Sequence, residues 1–125
     1  MQGLGRQVLA EFYGCNSDVL DCQEQISRIM EKAALEAGAE IREVVFHKYA
    51  PQGVSGVVVI SESHLAIHTW PEFDYAAVDI FTCGSKVDPW ISFEYLREHL
   101  AAKQATVKEV KRGMAVVAKN IVQGA

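Results

Sequence analysis

A chain of 125 residues has room for one domain and not for two. With 50% of its residues hydrophobic and 22% charged, it can build a core without staples, which excludes a disordered chain. Twelve Lys+Arg against sixteen Asp+Glu give a net charge of −4, which argues against a module that grips nucleic acid through a basic face.

Residues 4–13 alternate apolar and polar side chains and predict a strand. Asn16, Ser17 and Asp18 are helix N-cap candidates. Val19, Ile26, Met30, Ala33 and Ala37 follow as the stripe of one amphipathic helix, with Gly38 at its C′ position. Residues 40–49 predict a second strand, stopped by Pro51 and Gly53. Three further runs, 55–61, 65–70 and 75–83, are separated by short polar breaks at 62–64 and 71–74, the pattern of an antiparallel meander. Asp88-Pro89 is an N-cap followed by proline at the first helical position, and Trp90, Phe93, Leu96 and Leu100 carry a helix over 89–103. Residues 105–112 predict a last strand, and no element is assigned after Gly113.

The order β-α-β-β-β-β-α-β implies an α+β fold: a two-layer sandwich of a mainly antiparallel sheet with two helices on one face. Val57, Val58 and Val59 are consecutive and place apolar side chains on both faces, so the second face is expected to serve a subunit interface or an internal site. Apolar runs of about five residues fall far short of the roughly 20 that span a bilayer. Three cysteines at 15, 22 and 83, with no CxxC, make no disulfide framework. The expectation is a cytoplasmic domain with no membrane and no nucleic-acid partner.

His64 and His68 have the spacing of a helical metal pair, but their segment alternates as a strand, where four residues span about 13 Å. Two ligands of one zinc ion lie within about 4 Å of each other, so a metal site here is disfavoured. Tight hairpin connections would set Ser55 opposite Trp70, Val57 opposite His68, Ser63 opposite Thr82 and Glu62 opposite Cys83. That arrangement brings a serine, a histidine, a cysteine and an indole together at one end of the sheet. Taken singly, each has an ordinary reading: a turn serine, a hydrogen-bonded strand histidine, a small buried cysteine and a core tryptophan. There is no GxSxG elbow and no phosphate-cradling glycine loop.

Taken together they are specific. GVSGVVVISESHLAIHTWPE (53–72) followed by YAAVDIFTCG (75–84) resembles the prokaryotic S-adenosylmethionine decarboxylase proenzymes, the short pyruvoyl-dependent family of polyamine biosynthesis. The resemblance extends from GRQVLAEFYGC (5–15) through DPWISFEYL (88–96) and fades after about residue 112.

It implies self-cleavage between Glu62 and Ser63 into chains 1–62 and 63–125. The Ser63 hydroxyl attacks the Glu62 carbonyl, the peptide becomes an ester, and β-elimination and hydrolysis leave a pyruvoyl group in place of Ser63. His68 is the implied proton acceptor of processing, and Ser55 assists the tetrahedral intermediate. The pyruvoyl carbonyl then forms a Schiff base with the substrate amine and serves as the electron sink, as pyridoxal phosphate does elsewhere. Cys83 is the implied proton donor. Trp70 and Tyr49 correspond to aromatics flanking adenine, Tyr49 standing where phenylalanine is expected; Glu72 corresponds to the acid that holds the ribose hydroxyls, and Leu65 to a further substrate contact. The product is the aminopropyl donor for spermidine synthesis, and the working form is a homodimer of processed protomers with sites at the interface. A pyruvoyl-dependent arginine decarboxylase and an unprocessed, non-catalytic relative are the competing readings. Intact Trp70 and Glu72 favour S-adenosylmethionine over the first, and the complete set of processing residues argues against the second.

Overall fold

A computed structural model describes residues 3–116. Six strands form one sheet: β1 (Gly5–Tyr13), β2 (Ile41–Lys48), β3 (Val54–Ile60), β4 (Ser63–Trp70), β5 (Tyr75–Cys83) and β6 (Gln104–Arg112). Their order is β2-β3-β4-β5-β1-β6, and every neighbouring pair is antiparallel. Helices α1 (Ser17–Leu20), α2 (Gln23–Glu36) and α3 (Pro89–His99) belong to the same fold, with α2 and α3 packed on one face of the sheet. The α+β sandwich expected from the sequence is the observed architecture.

Strand alternation decides which side chains meet the helices. Val8, Ala10 and Phe12 of β1, Val58 and Ile60 of β3, Leu65 and Ile67 of β4, and Val78 and Ile80 of β5 point inward. They close over Ile26 and Met30 of α2 and Phe93 and Leu96 of α3. Burying each of these larger side chains contributes about 1.5–3 kcal/mol. The opposite face is left uncovered by α2 and α3, and it carries partly exposed Val59, Val45, Tyr13 and Tyr49.

The expected single helix from Val19 to Ala37 is two helices. Asn16 caps α1, its side chain accepting from the amides of Asp18 and Val19. The chain then breaks at Asp21 and Cys22 because both ends of the break are drawn into tertiary bonds. The Leu20 carbonyl accepts from buried Thr69 Oγ1 at 2.8 Å, and the Asp21 carboxylate accepts from Gly53 N–H at 2.9 Å. Helix α2 ends as expected at Gly38, whose φ of 91° suits a left-handed C′ residue. Helix α3 stops at His99, short of residue 103. Ala101 takes a left-handed φ of 56°, while Ala101 and Ala102 donate to the carbonyls of Glu98 and Arg97. That is a Schellman closure made without glycine.

One hairpin register matches expectation and one does not. Between β4 and β5, His64 faces Phe81 and Leu65 faces Ile80, which sets Ser63 across from Thr82 as expected. Between β3 and β4, Ser55 faces His68 and Val57 faces Ala66, two residues from the expected pairing. The loop is Ser61–Glu62 and β4 already begins at Ser63, so the connection lies one residue earlier than the polar break suggested.

Candidate active site

The β3–β4 connection is a two-residue loop whose second residue, Glu62, has a φ of 71°. The hairpin turns that match strand twist place positive φ at the first or at both loop positions, whereas here only the second is positive. A left-handed non-glycine residue of this kind costs of order 1–3 kcal/mol and persists only where its surroundings hold it. Neighbouring β2 does that holding. Ser61 N–H donates to the Glu40 carbonyl at 2.9 Å, and Arg42 Nε donates to Ser61 Oγ at 2.9 Å. Arg42 lies at the register shift between Ile41 and Glu43, a bulge beside the turn. The Ser63 hydroxyl lies against the carbonyl oxygen of Glu62, and its Oγ is 3.3 Å from Cys83 Sγ. A nucleophile, the carbonyl of its own preceding residue and a thiol therefore share one end of the sheet.

A second cluster lies farther along the sheet, on the face that Cys83 shares with His64 and Tyr75. Ser55 Oγ is 2.7 Å from His68 Nδ1, a contact set by their pairing across β3 and β4. His68 sits between two aromatic rings, with its centroid 6.0 Å from Tyr49 and 5.0 Å from Trp70. The stripe continues through Tyr75, stacked on Trp70 at 5.2 Å, to Tyr13 at 5.4 Å. Tyr75 OH donates to the Glu11 carboxylate; burial and that carboxylate push the Tyr75 phenol up to about 12. Tyr75 escaped the sequence reading, although it shares strand parity with Cys83 on β5 and so belongs to the same face.

Tyr49 follows β2 in a loop fixed at both ends. Its N–H donates to the Gly53 carbonyl at 2.8 Å, and Asp21 takes both the Gly53 N–H and the Lys48 ammonium, the latter at 3.0 Å. Those two donors hold the Asp21 carboxyl below the usual carboxylate range. Glu72 lies exposed in the short 3-10 turn Pro71–Phe73, directly after Trp70.

One expectation needs correction. Ser63, Cys83, His68 and Trp70 do share a sheet region, but they do not converge at one end within a single chain. Ser63 opens β4 and His68 is five positions farther along it, about 16 Å away in an extended strand. The expected substrate contact of Leu65 is left to its backbone. Leu65 is fully buried, paired with Val58 and Ile80, so its side chain is a core group on the opposite face. His64 and His68 have separate surroundings: His64 packs edge-on against Phe81, and His68 is bonded to Ser55.

The three cysteines are free and chemically distinct. Cys15 is buried, and desolvation with a contribution from Asp74 pushes its thiol up to about 11. Cys22 and Cys83 are half-buried. Because the thiolate is the reacting species, iodoacetamide at pH 8 is expected to modify Cys22 well before Cys15, with peptide mapping as the readout. Equal labelling of the two in the native protein would contradict this placement of Cys15.

The family model described as S-adenosylmethionine decarboxylase matches residues 6–113. The chain belongs to the S-adenosylmethionine decarboxylase family. An S-adenosylmethionine decarboxylase proenzyme of Carboxydothermus hydrogenoformans is 65% identical over 116 residues, covering 93% of this chain and 91% of that protein. One from Acetivibrio thermocellus is 64% identical over 114 residues, covering 91% of this chain and 92% of that one. The crystal structure of the adenosylmethionine decarboxylase from Aquifex aeolicus superposes with a TM-score of 0.86 at 32% identity, over 91% of this chain and 94% of that chain. A Trypanosoma brucei S-adenosylmethionine decarboxylase, 15% identical with a TM-score of 0.63, shares the fold over 96% of this chain and 51% of its own. Family membership places Ser63 and its neighbours in a decarboxylase whose relatives are named as proenzymes.

Proposed function

We propose that this chain is a precursor that cuts itself between Glu62 and Ser63 and then decarboxylates S-adenosylmethionine, using a pyruvoyl group made from Ser63. The observation that carries the reading is the Ser63 hydroxyl held against the Glu62 carbonyl, in a left-handed turn, with the Cys83 thiol 3.3 Å away. Proximity of this kind removes much of the entropic cost of attack.

Self-cleavage uses groups the chain already holds. Ser63 Oγ adds to the Glu62 carbonyl carbon, the C–N bond breaks, and the hydroxyl proton ends on the nitrogen, leaving an ester. A base then takes the Cα proton of residue 63, and the Cβ–O bond breaks to release the Glu62 carboxylate. Water completes the conversion with loss of ammonia. His68 is the proposed base. Its ring is fixed by Ser55 at 2.7 Å, which also supplies a hydroxyl for the tetrahedral intermediate.

The residues present fit the resulting group. The pyruvoyl supplies an electrophilic carbonyl that binds the substrate amine and accepts electrons as the carboxylate leaves. Cys83, already beside residue 63, holds the proton for the product carbon. Trp70 and Tyr49 offer faces for adenine, each such stack contributing about 0.5–1.5 kcal/mol, and Glu72 offers a carboxylate to ribose hydroxyls.

The separation of the two clusters supports a homodimer. In one chain His68 is about 16 Å from Ser63, too far for direct proton transfer. A second copy laid face to face, related by a two-fold axis that runs across the strands, exchanges the ends of the sheet. His68 and Ser55 of the partner subunit then stand over Cys83 and the Glu62–Ser63 bond at the sheet end. The uncovered face, with Val45 at 63% and Val59 at 37% exposure, is apolar enough to support such packing. Within one chain His68 lies between Tyr49 and Trp70, so the second aromatic wall for adenine is proposed to come from across the dyad. The cytoplasmic location we infer rests on the three free cysteines; among the described residues no helix is long and apolar enough to cross a membrane.

Intact mass and carbon dioxide release test the reading together. The expected products are a chain of residues 1–62 and a chain of residues 63–125, the latter lighter than its serine-headed form by the mass of ammonia. Labelled S-adenosylmethionine should release carbon dioxide and labelled arginine should not. A persistent single uncut species would overturn self-processing, and release from arginine alone would overturn the substrate.

A further inference from the structure

Thr82 is 1% exposed, and its hydroxyl has no hydrogen-bond partner among the described residues. A buried, unpaired hydroxyl costs roughly 1–3 kcal/mol, a cost that native structures rarely carry without a reason. The other two buried polar side chains among the described residues are both committed. Thr69 bonds Leu20 and Val54, and Ser92 bonds the Ala33 carbonyl at 2.7 Å. On the β1 side, Thr82 faces Arg6, whose guanidinium is engaged by Glu109 at 2.9 Å. On the β4 side, the register that pairs His64 with Phe81 sets Thr82 across from Ser63. The next residue, Cys83, is the one whose sulfur lies 3.3 Å from Ser63 Oγ.

We infer that Thr82 is a catalytic residue of self-cleavage whose hydroxyl donates to the Glu62 carbonyl oxygen as that oxygen becomes negative. The inference rests on the self-processing reading above. A donor free in the precursor and engaged only when charge develops stabilises the transition state without stabilising the ground state, and only such differential contacts accelerate a step. No atoms are transferred by Thr82: its hydroxyl hydrogen stays on Oγ1 while the Ser63 Oγ–carbonyl bond forms and the peptide C–N bond breaks. The same hydroxyl then has an acceptor for the first time.

The experiment follows cleavage during a chase after cell-free synthesis, by gel and intact mass, in the wild type, T82V and T82S. Removing one oxyanion donor costs of the order of 10²–10³-fold in rate, so T82V should cleave at least about 10²-fold more slowly. T82S keeps the hydroxyl and should recover most of the rate. Stability is read separately in the uncleavable S63A background. There T82V replaces an unpaired buried hydroxyl by a methyl group, so the melting temperature of S63A/T82V should equal or exceed that of S63A. T82V cleaving at the wild-type rate overturns the inference. So does slow cleavage of both T82V and T82S accompanied by a lowered melting temperature of S63A/T82V, which marks a packing role. A wild-type chain that never cleaves overturns the self-processing reading itself and is recognised by that control.

Discussion

An H68A chain expressed alone stays uncut, but it is cut when an S63A chain is present in the same dimer. This is the expected result if the base that processes Ser63 comes from the second copy. The S63A chain keeps His68 and Ser55, so it supplies the base to the H68A chain, which keeps Ser63 and Cys83. The S63A chain itself has no nucleophile and remains whole. Loss of general-base help slows proton transfer by roughly 10²–10⁴-fold, so the contrast between H68A alone and the mixture should be close to all or none on a gel. Differently tagged chains identify which one is cut. If H68A is processed equally well alone, or remains uncut in verified mixed dimers, the proposed two-chain site fails. The geometric basis is the strand itself: five residues of β4 separate Ser63 from His68, and no rotamer bridges that length.

C83A is expected to yield cleaved chains that have lost most of their decarboxylation. Cys83 is the group beside residue 63 that can return a proton to the product carbon, its sulfur 3.3 Å from Ser63 Oγ before cleavage. Removing a positioned proton donor costs about 10²–10⁴-fold. The measurement is formation of the decarboxylated product over many turnovers, expressed per cleaved chain so that slower processing does not count as lost catalysis. C83S, which keeps a weaker acid at the same place, should fall between C83A and the wild type. Cleaved C83A that decarboxylates at the wild-type rate would remove Cys83 from this role.

Much of the fold was legible because its signals are local. The alternation in residues 75–83 and the Asp88-Pro89 start of α3 are properties of a few adjacent residues, and β5 and α3 begin where these signals put them. Gly38 at the end of α2 is of the same kind. The break at Asp21 was not legible. The stripe from Val19 to Ala37 is compatible with one helix, and only bonds to Thr69 and Gly53, distant in sequence, divide it. The β3–β4 register was missed for a related reason. The polar run Glu62–His64 resembles a loop, but β4 begins at Ser63 because its side chain and backbone are held by the sheet and Glu62 takes the strained position instead.

The sequence by itself determined the family, because Ser63, His68, Cys83 and their neighbours lie in one specific motif, and the same motif names the groups proposed to react. It also determined that the sheet would have an apolar second face, since consecutive valines at 57, 58 and 59 cannot all point to one side. Tertiary structure alone decided how those groups are shared out in space. The same strand that carries Ser63 and His68 holds them about 16 Å apart, because an extended chain advances about 3.3 Å per residue. It also decided that Leu65 belongs to the core and that the Thr82 hydroxyl is left without a partner one strand away from the bond to be cut. Parity, register and burial arise from pairing across the sheet, and no single stretch of the chain contains them.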